Sequence, residues 1–190
     1  MRVLLLSLLT LVIINCTKQQ TITIYTINID KKIEEVQNSL YRDKIVKIAY
    51  PKGIMGRNII FNYQNNQEAI YQNGIWSNSI NRLIISYLHH TVENSKLFKN
   101  TIDYSSYAKY DYILESSVSK LYHKVRDNSS QAILSIKLDL IDIDSHKIVK
   151  SKKFNYEIST SSKDLTDYIK ATQKVFNILS IDLIDWLKKS

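Results

Sequence analysis

The groups able to do chemistry are few in kind, and their spacing decides what each can do. His89 and His90 are adjacent; neighbours in sequence point apart on a helix, which makes them a poor metal pair. Asp139, Asp142 and Asp144 could form a cation loop, but no Gly and no closing Glu stand at calcium-loop spacing. They read as ordinary acids at a strand end and its turn. Serines, histidines and aspartates are plentiful, yet none sits in a strand-turn-helix context such as Gly-x-Ser-x-Gly. Gly56 and Gly74 are isolated, so no phosphate-cradling loop is spelled out. No catalytic residue, no metal ligand and no cofactor is assigned. The chain reads as a binding or scaffolding protein and not as an enzyme.

One position does carry covalent chemistry. Met1-Arg2 is a positive start, Val3 to Ile14 is apolar except for Ser7 and Thr10, and the chain's single cysteine, Cys16, stands just beyond. The apolar run is short for a membrane span and suits a signal peptide. A lone Cys in that place resembles the lipobox of bacterial lipoproteins. The resemblance implies cleavage before Cys16, diacylation of its sulfur and acylation of its new amine. Asn15 departs from the small residue usual there. The plainer alternatives are an ordinary secretory signal, or an uncleaved anchor with an incidental Cys. Several acyl chains hold a protein firmly, at about 0.8 kcal/mol per buried methylene. Thr17 follows where an inner-membrane retention signal would place Asp, which favours an outer-membrane lipoprotein facing the periplasm; the inner membrane stays open. The expected layout is a leader over 1–15, a lipid-anchored tether over 16–20 and one domain over 21–190.

Composition bounds the rest. The 190 residues are 44% hydrophobic, enough to bury a core, and three Gly, one Pro and one Cys exclude collagen-like, low-complexity and disulfide-rich classes. The net charge of +8 raises the question of nucleic acid or an acidic surface. The Lys and Arg residues do not gather into one block, and no nucleic-acid-binding motif accompanies them, so no nucleic-acid partner is expected. A basic secreted module binding anionic polymers remains an alternative.

Hydrophobic periodicity supplies the elements. Ile59, Phe61 and Tyr63 alternate with Ile60 and Asn62 as a strand does, and Gln64 to Gln67 is a polar turn. Ala69 to Tyr71 reads as a short partner strand, with Asn73-Gly74 as turn chemistry. Trp76, Ile80, Leu83, Ile84, Tyr87 and Leu88 share one face of a helix over 77–91 headed by Trp76. Strands are expected over 21–29, 44–50, 96–102, 110–123, 132–140 and 147–158, the last three joined by turns at 126–130 and 144–146. In the strand over 110–123, Leu114, Ser116, Val118 and Tyr122 fall on the apolar face, with Glu115, Ser117, Ser119 and His123 opposite. Residues 30–42 read as a loop or one short helix. A helix capped by Ser162 or Asp164 carries Leu165, Ile169, Thr172, Phe176, Leu179, Leu183 and Leu187 as its stripe. The expected fold class is α+β: an antiparallel sheet with two main helices packed on one face.

Tyr25-Thr26-Ile27, Ile45-Val-Lys-Ile-Ala-Tyr-Pro51, Ile54-Met-Gly-Arg57, Ile59-Ile60 and Trp76 together resemble the ABC-type transport auxiliary lipoprotein family, which includes the PqiC lipoproteins. Met55 and Arg57 match the Leu and Arg of that family's turn, whereas Ile54 replaces its Tyr and Gly56 its Asp. The resemblance implies a non-catalytic accessory component of an envelope lipid transport system. Its partners would be an MCE-domain protein and an ABC transporter permease and ATPase, with phospholipid as cargo and the membrane reached through lipidated Cys16. Ile54, Met55 and Arg57 become the partner-binding candidates, and a homo-oligomer is compatible with this. The competing class is an outer-membrane lipoprotein that activates a cell-wall synthase or assists lipopolysaccharide assembly.

Overall fold

The computed structural model describes residues 21–28, 32–63 and 67–189. The leader, Cys16, the tether and most of the turn expected after Tyr63 lie outside the described residues. In chain order the strands are β1 (Thr23–Tyr25), β2 (Ile45–Ile48), β3 (Lys52–Gly53), β4 (Asn58–Asn62), β5 (Glu68–Trp76), β6 (Asn100–Ile102), β7 (Tyr112–Val125), β8 (Ser130–Asp142) and β9 (Lys147–Ser159). The helices are α1 (Ile80–Ser95), after β5, and α2 (Leu165–Lys188), after β9.

Alternation builds the long strands. Leu114 and Val118 of β7, Leu134, Ile136, Leu138 and Leu140 of β8 and Phe154 of β9 are buried, and each such side chain contributes about 1.5–3 kcal/mol. The three strands pair antiparallel as a meander. The other edge of β7 is covered piecewise. β2 runs beside Tyr112–Leu114, β3 beside Ser117–Val118 and β4 beside His123–Lys124, all parallel to β7. β4 then pairs antiparallel with β5, while β5–β1 and β2–β6 are parallel. The sheet is therefore mixed and not purely antiparallel. The chain advances in steps along β7 through β2, β3 and β4 without reversing, so each step pairs parallel.

The helices rest on the sheet and on each other. Tyr87 meets Phe176 edge-on with centroids 5.0 Å apart, and its hydroxyl donates to the Phe176 carbonyl oxygen. Leu165, Tyr168, Val175, Phe176, Leu179, Leu183 and Leu187 form the buried stripe of α2. Trp186 lies at its edge, T-shaped to Phe154 at 6.0 Å. The last carbonyls of α2 are served by Lys150 of β9, whose Nζ donates to Trp186 at 3.2 Å and Leu187 at 3.0 Å. A cation there also opposes the negative end of the helix dipole. At the start of α1, the buried Asn81 side chain donates to the Pro51 carbonyl at 2.9 Å, and the Ile80 N–H donates to Gly56.

Several local expectations change. Asn73-Gly74 is not a turn: it lies within β5, where the register against β4 shifts between Ile70 and Ile75, and Trp76 is the buried end of that strand while the helix begins at Ile80. Gly74 is there for closeness, since a Cβ would lie 2.4 Å from Leu165 Cδ2 and 2.9 Å from Tyr25 Cε2. The strand expected from Lys96 begins only at Asn100, because Lys96 at φ 55 ends α1 and the buried Leu97 and Phe98 follow as plugs. Residues 32–42 contain no helix; Ile33, Val36 and Tyr41 pack on the core from irregular chain. In the strand expected over 147–158 the alternation puts Ile148 on one side with Phe154, Tyr156 and Ile158, yet Ile148 is 57% exposed, owing to a register shift between Leu140 and Ile141. A second shift, between Val118 and Lys120, reverses the facing of β7, so that Leu121, His123 and Val125 turn inward.

Candidate functional site

The turn over 54–57 links β3 to β4 and comes up against the start of α1. Its candidate residues separate into distinct roles. Ile54 is half-buried against the core, and its N–H faces the Val118 carbonyl at 3.4 Å. Arg57 is a brace: its Nε donates to the Trp76 carbonyl at 2.8 Å, while the Trp76 N–H donates back to the Arg57 carbonyl at 2.8 Å. The Ser77 N–H in turn donates to Tyr25 at 2.6 Å, so the turn, β5 and β1 are stitched at one end of the sheet. Met55, 73% exposed, is the apolar side chain that this braced backbone presents to solvent, and Arg57 is exposed beside it. Ile22 and Ile24, also exposed, lie on and beside β1, an edge of the sheet. Arg57→Ala is expected to lose about 1.5–3 kcal/mol, the range for a hydrogen bond from a charged donor. Urea unfolding reads the loss, and Arg57→Lys recovers only part of it because a point cation lacks the planar donor.

A second cluster lies inside, where the sequence placed a wet face. His123 is fully buried, with Nδ1 2.6 Å from the Tyr71 hydroxyl and Nε2 2.5 Å from Ser130 Oγ. Its ring stacks on Tyr168 at 4.7 Å and lies parallel to Tyr71 at 6.0 Å. One ring nitrogen donates and the other accepts, as a neutral imidazole requires. Burial pushes the imidazole down to about 4 and the Tyr71 phenol up to about 12. Ser130, His123 and Tyr71 have the spacing of nucleophile, base and orienting group. A base this weak draws a proton poorly from a hydroxyl at neutral pH. Beside the cluster, Tyr63, Tyr71, Val125, Arg126 and Lys163 line a cleft of about 310 Å³. The Arg126 guanidinium donates to Asn62 O at 3.0 Å, Asn62 Oδ1 at 3.1 Å and Val125 O at 2.8 Å. Leu121 and Val125 alternating out of phase with Leu114 and Val118 were the signal that would have found His123.

The remaining groups are placed as follows. Asp139 accepts from Lys137 at 2.8 Å and from Ser151 at 2.5 Å, while Asp142 accepts from the Ser145 backbone at 2.8 Å and hydroxyl at 2.7 Å. They serve strand and turn, as read. His89 and His90 do not diverge: both approach the Glu93 carboxylate. A groove of about 1140 Å³ lies between residues 26–28 and 32–37 on one side and α1 on the other, with Ile27, Ile33, Leu83, Tyr87 and Asn94 on its walls. None of the helices described is long and apolar enough to cross a membrane.

No family model and no curated protein matches the chain. Among solved structures it is similar to protein XCC0632 of Xanthomonas campestris, of the DUF330 family, with a TM-score of 0.77 at 15% identity over 87% of this chain and 95% of that one. An uncharacterized protein superposes with a TM-score of 0.63 at 14% identity, covering 87% and 97%. The PelC dodecamer of Paraburkholderia phytofirmans reaches 0.49 at 14% identity over 80% and 94%, too loose a superposition to bear on this chain. The first two establish a shared fold. They also correct the family resemblance drawn from the sequence, since these neighbours are a DUF330 protein and an uncharacterized one and not PqiC or MCE-associated proteins. The motifs behind that resemblance were short aliphatic strand ends beside a turn, which many sheets require.

Proposed function

We propose that the chain is a non-catalytic docking module of the cell envelope, tethered to a membrane through lipidated Cys16 and offering the braced turn around Met55 to a protein partner. The observation that carries the reading is Met55 itself, an apolar side chain 73% exposed on backbone that Arg57, Trp76 and Ile80 hold in place. Rigid presentation of an apolar anchor lowers the ordering cost of association. The leader and single cysteine support the tether, with the outer membrane facing the periplasm as the assigned side. Both helices covering one face of the sheet would leave the turn at its end free for contact. Lipid transport is the process this reading assigns to the module.

Crosslinking followed by pull-down from membranes, on wild type, Met55→Asp and Cys16→Ser, tests it. Met55→Asp is expected to shift stability by no more than about 0.5 kcal/mol, as an exposed substitution does, and to lose most of the captured partner. Cys16→Ser is expected to leave the membrane fraction and to take up no labelled palmitate. Recovery of lipid-transport components supports the assigned process. Recovery of a cell-wall synthase or lipopolysaccharide-assembly protein moves the module to that process, and polymer binding that collapses with salt points to the basic surface instead. Undiminished capture by Met55→Asp rejects the turn as the docking point.

A further inference from the structure

On the exposed side of α1, His89, His90 and Glu93 converge. His89 Nδ1 and His90 Nδ1 each lie 3.7 Å from the same oxygen, Glu93 Oε2, and the ligand atoms of all three residues are within 4.8 Å of one another. The two rings stand at 86° with centroids 5.9 Å apart, so both nitrogens reach one point instead of stacking. The contacts are too long for N–H···O hydrogen bonds, which run about 2.7–3.2 Å. They are close to the separation of two ligands sharing one ion. Bonds of about 2.0–2.2 Å at a tetrahedral angle set neighbouring ligand atoms about 3.3–3.6 Å apart.

We propose that His89, His90 and Glu93 form a surface site for one borderline divalent transition-metal ion of the Zn²⁺ class. Two imidazoles and one carboxylate suit that class; Ca²⁺ and Mg²⁺ call for more oxygen ligands than one side chain supplies. The ligands stand on a regular 16-residue helix whose opposite face is buried, so the support is rigid. His89 is the more enclosed of the imidazoles, its side chain 21% exposed against 57% for His90. The site opens on a groove of about 470 Å³, with Asp103 and Ser105 on its walls, which leaves room for a fourth ligand from water or a partner. An ion there would bind without any change to the turn at Met55, so the site stands independently of the docking reading.

The test is calorimetric titration of the full chain in detergent with Zn²⁺, repeated with Co²⁺ and followed by its visible ligand-field absorption. It is run on the Cys16→Ser background so that the thiol adds no ligand. One ion per chain is expected, with at least tenfold weaker binding in His90→Ala and in Glu93→Gln. His146→Ala, which changes a histidine in a turn elsewhere in the chain, is expected to bind like the parent. Circular dichroism checks that the exposed His90→Ala variant keeps its helix. Absence of saturable binding overturns the proposal, and so does binding that survives both His90→Ala and Glu93→Gln undiminished.

Discussion

Gly53→Ala is expected to lower the unfolding free energy by about 3 kcal/mol or more, a loss reserved for backbone strain or core damage. Gly53 has φ +107, a region that L side chains enter only with strain worth about 1–3 kcal/mol. The added Cβ would also sit 2.0 Å from the Val118 carbonyl oxygen and 3.0 Å from its carbon. Both obstacles are backbone. They cannot rotate aside as a side chain can, and β3 is paired to β7 at this residue through the Gly53–Val118 register. Relief means pulling β3 off β7 or opening the irregularity beside Val118, and either loosens Ile54 and the turn behind Met55. Gly56 is the matched comparison, because its φ of +90 carries similar strain while nothing lies within 4 Å of an added Cβ. Gly56→Ala is expected to lose only about 1 kcal/mol, without a change in denaturant slope. Equal losses for the two alanines would remove the steric account of the β3–β7 contact.

What the sequence made legible follows from how local each determinant is. The stripe from Leu165 to Leu187 and the alternation from Ala132 to Leu140 are written in the identities of near neighbours, and α2 and β8 appear where those patterns place them. Pairing partners are not local. Nothing in Ile45–Ile48, Lys52–Gly53 or Asn58–Asn62 says that all three lie parallel to one strand, so an antiparallel sheet was the simplest expectation and the mixed one was missed. The irregularity after Val118 is a single residue with no Gly or Pro to mark it, yet it moved His123 from the solvent face to the centre. Asn73-Gly74 misled for the opposite reason. Its composition is that of a turn, but the need for a glycine comes from Leu165 and Tyr25, far away in sequence. The candidate turn was legible as a place, and only the structure showed that Arg57 braces it through the Trp76 carbonyl while Met55 is its exposed apolar side chain.

The second large effect is one of pH. In an unfolded chain an imidazole takes its proton near pH 6.5, whereas burial holds His123 to about 4. Between those values the unfolded state binds more protons than the folded one, so stability rises with pH through this window. The contribution is therefore complete above pH 6.5, shrinks as the pH falls, and is gone below about 4. A difference of about 2.5 pH units corresponds to roughly 3 kcal/mol at 1.36 kcal/mol per unit. The burial is that of a fully covered ring packed against Tyr168 and bonded at both nitrogens, so solvent screening takes little from the effect. The Asp111 carboxylate, held low by the Ile45 N–H and by Lys44, loses its share at lower pH, below the usual carboxylate range. Urea unfolding of the wild type from pH 7 to 4.5 should thus show a loss that His123→Phe does not share, even though the Phe variant starts less stable for want of partners to Tyr71 and Ser130. Because that variant is weakened, the imidazole is also followed directly by NMR in the wild type, where its ring protons should stay unshifted down to about pH 5. Parallel pH slopes in the two proteins, or a His123 titration near 6.5, would show that the core at this ring is open to water.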